Sequence, residues 1–257
     1  MSSAPEAPTT RIATERPDDV IIRGKSLCRD LIGKLGFTEM ILWQVLGREP
    51  DKGDTAVVDA CLVALMEHGL TPSAVAARLV YSSAPEALQA AVAAGLAGVG
   101  SVFAGSMEGC AALLARVVAA PDAAAEAKRI AAEHKAARRP VPGFGHPTHK
   151  PDDPRTPRLF AVAREHGRAG RHLAAVEELG RAVDAAVGRH LTINATGAMA
   201  AVLGDIGVPA EIMRGFALIS RCAGLVGHLH EEQAQPSIRA LWRAAEAALP
   251  YAGPSPK

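Results

Sequence analysis

Four places in this chain concentrate side chains that could do chemistry. In Gly143-Phe144-Gly145-His146, glycines flank a position from which the backbone can approach a ligand closely, and a histidine follows. Asp153-Pro154-Arg155 comes shortly after, a stiff turn presenting a guanidinium that can fork onto a carboxylate. His68 sits in the break between two helical segments, where an imidazole can bind or transfer a proton. Ser220-Arg221 interrupts the apolar run FALISRCAGLVGHLHEEQ, and a charge in such a run must be paired or face a polar cavity. Just beyond lie His228, His230, Glu231 and Glu232. They contain metal-ligating types, but residues two apart on a helix do not share a face, so no metal site is expected. Arg239 follows, placed where it could reach a neighbouring chain.

The frame holding these residues must be helical. Apolar residues make up 49% of the 257, enough for a sizeable core, while aromatics are only 4%, so that core is built from Ala, Leu, Val and Ile. Periodic apolar positions predict helices over 26–46 with a break at Gly36, and over 55–67, 71–80, 84–99, 105–119, 121–137, 156–166, 172–187, 191–203, 209–225 and 236–248. Thr71-Pro72 and Pro121-Asp122 read as helix starts. No strong hairpin signal and no fixed-period repeat are present, so the expectation is an all-α protein. The segment from Pro140 to Phe160, rich in Pro, Gly, His and charge, lies between two of the helices.

Composition narrows the partners. Basic and acidic residues nearly cancel, 28 against 27, which argues against a nucleic-acid-binding surface. The four cysteines are scattered without a CxxC pair, which fits a reducing cytoplasm better than a disulfide framework or zinc knuckle. No apolar run reaches the roughly 18–20 residues of a membrane helix. The first 20 residues are polar and Pro-rich, without the apolar core of a secretory signal, and read as a mobile arm.

Taken in order, EHGLTPSAVAARLV, GFGHPTHKPDDPR and LISRCAGLVGHLHEEQ resemble the citrate synthase superfamily, and within it the short citryl-CoA lyase-like proteins. The resemblance runs from about Ile21 to Trp242 and implies a dimeric helical fold with a large domain (21–108 and 212–257) and a small domain (109–211). It also implies that domain closure sequesters the substrate. By the same resemblance His146 binds and protonates a keto or hydroxyl oxygen. His68 matches the histidine of the family's DHE or DHG turn. Arg155 and Arg221 hold carboxylates, Arg239 is given across the dimer, and Lys150 meets a coenzyme A phosphate. Coenzyme A enters as part of the substrate, with no permanently bound cofactor and no metal.

Two family positions differ. Where citrate synthases carry an enol-stabilising histidine, the loop VFAGSMEG puts Ala104, and where they carry a catalytic aspartate, LTINATGAM puts Thr196. Threonine cannot serve as a carboxylate base near neutral pH. Glu108, as a carboxylate, and Asn194 and Thr196, as hydrogen-bond donors to an enolate oxygen, are the nearby substitutes. The resemblance therefore implies a carbon–carbon lyase that splits a carboxylated 3-hydroxyacyl-CoA. The two departures leave open a non-catalytic or regulatory acid-binding homologue and an acyl-CoA thioester hydrolase.

Overall fold

In a computed structural model, residues 8–100, 102 and 106–254 are described. Eleven α-helices are found among them: α1 Phe37–Leu46, α2 Lys52–Met66, α3 Pro72–Ser83, α4 Leu88–Ala97, α5 Met107–Ala119, α6 Ala123–Ala136, α7 Arg155–Glu165, α8 Arg171–Val187, α9 Ala195–Asp205, α10 Met213–Ala234 and α11 Ile238–Ala248. The all-α expectation holds for the frame. None of these helices is long and apolar enough to cross a membrane.

At the centre is α9, whose residues Ala195–Leu203 are all buried. A helix apolar all round belongs inside, and its Ala and Gly content lets α2, α5, α7 and α8 pack against it. The main core extends from Leu42 and Val57 through Leu114, Ile130 and Val176 to Met213 and Phe216. A smaller one, built on Ala74, Ala77, Ala91, Leu225 and Leu229, joins α3, α4 and α10. Cys61 and Cys110 belong to the main core, where burial pushes both thiols up to about 12, so neither supplies a thiolate.

Caps mark the helix starts. Asp51 accepts the Gly53 and Asp54 amides at α2, Asp122 accepts the Ala125 amide at α6, and Asn194 accepts the Gly197 amide at α9. Where a helix is expected before Gly36 there is only a five-residue π-helical turn, Leu27–Leu31, and three more elements differ from the sequence reading. First, α9 begins at Ala195, not Leu191, because residues before Asn194 leave the helix to pair with the loop at Phe144. Second, α10 runs on to Ala234 through glycines that look like a stop. Gly224 is needed there because a Cβ would lie 2.0 Å from the Met66 carbonyl oxygen, where α10 crosses the end of α2.

Third, part of the N-terminal arm forms strands: β1 Ala13–Arg16, β2 Asp19–Ile22 and β3 Lys25–Ser26 make a small antiparallel sheet, with Ala13 opposite Ile22 and Ile21 opposite Ser26. Its second turn has positive φ at both Arg23 and Gly24. That is a hairpin geometry usually announced by Asn-Gly, and Arg-Gly hides it.

Candidate active site

The loop from Gly143 to Arg155 is stitched to the start of α9. The Gly145 amide donates to the Thr192 carbonyl at 2.7 Å, the Asn194 amide to the Gly143 carbonyl at 3.0 Å, and the Asn194 side-chain amide to the Gly145 carbonyl at 2.9 Å. Gly143 has φ +88°, and a Cβ there would lie 2.5 Å from Cys110 Sγ and 3.0 Å from Gly197 Cα. Only glycine satisfies both the left-handed backbone and the close approach.

His146 leaves this loop with its tautomer assigned by hydrogen bonds. Its Nδ1 accepts the amides of Thr148 at 3.1 Å and His149 at 2.9 Å. A nitrogen that accepts two N–H groups carries no proton, so the neutral ring holds its hydrogen on Nε2. That N–H is a donor suited to a substrate oxygen. The ring of His68 stands 5.7 Å away, edge-on, and His149 stacks on His146 at 4.3 Å. Burial lowers the proton affinity of both His68 and His146. Arg155, His149 and Arg221 lower that of His68 further, while His149, Arg155 and His68 do so for His146, and Asp153 partly opposes the shift in each. Both are neutral at neutral pH.

Three imidazoles this close are a candidate metal site by proximity, their ligand atoms lying within 4.8 Å of one another. The tautomer argues against it. Ligation through Nε2 would need the ring hydrogen moved to Nδ1, which already faces two amide N–H groups, and ligation through Nδ1 would need those amides displaced. The cluster suits proton and hydrogen-bond chemistry better.

Arg155 opens α7 and is held by Asp153. Its Nε and one terminal nitrogen meet the two carboxylate oxygens at 2.9 and 2.8 Å. Asp153 is fully buried and also accepts the Arg155 and Ala195 amides. Burial opposes its charge, yet Arg155 and these amides hold the carboxyl down at about 2. The other terminal nitrogen of Arg155 makes no hydrogen bond among the described residues and can serve a ligand. Arg221, inside α10, is 6% exposed, and its nearest carboxylate, Glu67, is 3.9 Å away. Its NH1 nitrogen has no hydrogen-bond partner among the described residues, and neither has the buried Thr71 hydroxyl.

These groups meet in one cavity of about 310 Å³. His68, His146, Arg155, Arg221 and Thr71 line it, together with Ser106, Asn194 and Thr196. Along the last three runs a hydrogen-bonded row. Thr196 donates to Asn194 Oδ1 at 2.7 Å, so the 2.7 Å contact between Ser106 and Thr196 is donated by Ser106. No Asp or Glu among the described residues lines the cavity.

Sequence reading placed His68, His146, Arg155, Arg221, Asn194 and Thr196 in the site, and all six line this cavity. Glu108 does not, since its carboxylate pairs with Arg214 at 2.6 Å. Lys150 and Arg239 are exposed and outside the lining. Ala104 lies outside the described residues. In the sequence Thr71 reads only as a helix cap and Asp153 only as part of a turn, and nothing in it distinguishes Ser106 or His149. An Asp two residues before an arginine, joined to it by a proline, is the signal the sequence offers for Asp153. Thr71 had none, because a helix start explains Thr-Pro equally well.

Residues 20–245 match the family model described as the C-terminal domain of citrate synthase. The chain belongs to the citrate synthase family. It is 30% identical over 226 residues to "Putative citrate synthase 2" of Mycobacterium bovis, covering 85% of this chain and 56% of that protein, so the chain spans little more than half the length of this curated relative. Among solved structures it is similar to citryl-CoA lyase from Hydrogenobacter thermophilus, with TM-score 0.87 and 31% identity over 98% of this chain and 97% of the other. It also shares the fold of part of the Methanosaeta concilii ATP citrate lyase (D541A mutant) solved with (3S)-citryl-CoA, at TM-score 0.80 and 21% identity over 99% of this chain and 43% of the other. Against this citrate synthase frame, the row at Thr196 is a neutral wall where an aspartate is expected.

Proposed function

We propose that the protein is a carbon–carbon lyase of the citryl-CoA lyase type, cleaving a carboxylated 3-hydroxyacyl-CoA into a keto acid and an acyl-CoA. One observation carries the reading. A single cavity holds the buried NH1 of Arg221, without a hydrogen-bond partner among the described residues, the second terminal nitrogen of Arg155 and the Nε2 hydrogen of His146. A buried guanidinium nitrogen without a partner is costly unless an anion completes it, and a substrate carboxylate does so. The likeness to a citryl-CoA lyase over nearly the full length of both chains supports the same reading.

Arg155 and Arg221 grip carboxylates while His146 donates to the 3-hydroxyl oxygen. Neutral His68 takes the hydroxyl proton. The O–H electrons become the new C=O bond, the C2–C3 bond breaks, and its pair passes into the thioester enolate. That enolate oxygen meets the second amide hydrogen of Asn194, whose side chain is held through its Oδ1 by Thr196 and, behind it, Ser106, and the enol carbon then takes a proton, replacing the one given to His68, to yield the acyl-CoA. A water-poor cleft strengthens each of these contacts. Coenzyme A is part of the substrate, with Lys150 at its phosphates. The working form is a cytoplasmic homodimer in which Arg239 reaches the neighbouring site, and closure of a small domain (109–211) on the large one shuts out water.

The test is product analysis by mass spectrometry with citryl-CoA and related hydroxy-polycarboxyl-CoA thioesters, beside His146→Ala. A keto acid with a shortened acyl-CoA, both lost in the variant, is the expected result. Free coenzyme A with the intact acid would instead mark a thioester hydrolase. Intact thioesters that raise the melting temperature would mark an acid-binding homologue.

A further inference from the structure

The connection between α2 and α3 carries His68, yet nothing in the cavity explains what holds that turn in place. Glu67 does. Its Oε1 accepts the backbone amides of His68 at 2.8 Å and Gly69 at 2.7 Å. Its Oε2 lies 2.9 Å from Nε2 of His228 on α10. The tautomer of His228 is set from behind, because Nδ1 accepts Nε of Arg78 at 3.1 Å, which leaves the ring hydrogen on Nε2, the nitrogen on the Glu67 side. Arg78 is 2% exposed and is itself locked, with NH1 donating to Glu232 at 2.7 Å and NH2 meeting Glu231. Glu232 in turn accepts the Ser237 and Ile238 amides at the start of α11.

We infer that Glu67 is a positioning residue of the active site: it fixes the His68 turn and stands as counter-ion to Arg221, and His228 and Arg78 hold it there. The inference rests on the lyase reading for its effect on turnover, but not for its effect on the turn. Glu67 lies outside the cavity lining, so it acts through His68 and Arg221 and not on the substrate. A free carboxylate this close would repel a polycarboxylate ligand. With one oxygen tied by two amides, the other 2.9 Å from the His228 imidazole and Arg221 at 3.9 Å, its charge is already answered. Burial opposes ionisation of Glu67, but His228 and the two amides outweigh it and hold the carboxyl below its ordinary range. This also gives His228, Glu231 and Glu232 a role that is not metal binding.

The test compares Glu67→Ala, Glu67→Gln and His228→Phe in the full chain. Three quantities are read: hydrogen exchange at the His68 and Gly69 amides, kcat/KM for citryl-CoA cleavage, and the melting temperature. Alanine at 67 and phenylalanine at 228 should speed exchange at those amides about 10-fold or more. They should lower kcat/KM by roughly 10- to 100-fold, as a displaced catalytic group does. Glutamine keeps an acceptor for the two amides and should retain most of both. Unchanged exchange in Glu67→Ala would overturn the inference whatever the activity. So would losses equal in all three variants that simply follow the melting temperature. If the wild type cleaves no thioester, the lyase reading falls, and the exchange data with citrate affinity by calorimetry still decide whether Glu67 holds the turn.

Discussion

Asp153 shows how much of a carboxylate clamp can depend on a residue that never touches the ligand. It is fully buried, pairs with Arg155 through both oxygens and accepts two amides. Replacing it by asparagine leaves a guanidinium facing an amide and should cost about 3 kcal/mol of stability, measured by urea unfolding at pH 7. Acid should report the same group. Its carboxyl is held at about 2 against an ordinary 3.8, so its contribution is complete above about pH 4 and is lost as pH falls through about 2. That loss corresponds to roughly 2 kcal/mol. The Asp153→Asn variant should lack this part of the acid destabilisation. A variant whose stability falls with acid as steeply as the wild type's would show that Asp153 is not the titrating group. At this scale the sequence exposed residue types well and commitments poorly. His146, Arg155 and Arg221 stood out by type and company, whereas Glu108 looked available only because its pairing with Arg214 is not written in its neighbours.

At the scale of elements, function depends on one junction: the loop from Gly143, the start of α9 and the side of α5 that carries Cys110. Gly143→Ala adds a methyl where Cys110 Sγ and Gly197 Cα already stand, at a positive φ. It should lower stability by about 1–3 kcal/mol. It should also reduce turnover, because His146 and Asn194 both depend on this docking. Thermal unfolding and kcat measured on the same preparation check it, and a variant as stable and active as the wild type would show that the close approach is not required. Most helices were legible from apolar period and caps, since those signals are local. The start of α9 was not, because Leu191–Ile193 are apolar enough to continue a helix and leave it only to meet the loop near Phe144. The small sheet was hidden for a similar reason, its turn resting on Arg-Gly and its first strand being wholly exposed.

Across the whole molecule, residues distant in sequence close on one cavity. His68 arrives at the end of α2, His146 and Arg155 on a loop leading into α7, Asn194 and Thr196 at the start of α9, and Arg221 from the middle of α10. Motif order in the sequence was sufficient to bring these six together, because each lies inside a recognisable block. Thr71, Ser106 and the brace through Glu67 and His228 depend on how the blocks pack, which a single sequence does not print. Arg221 tests the central claim most directly. Citryl-CoA would be mixed with excess enzyme, and oxaloacetate and acetyl-CoA quantified over a single turnover, for the wild type and for Arg221→Met. Equal amounts of the two products from the wild type, formed at least about 100-fold more slowly by the variant, are predicted from the loss of a buried charge-assisted contact. Equal rates in the two proteins, or coenzyme A and citrate as the products, would contradict a lyase whose substrate is held by that guanidinium.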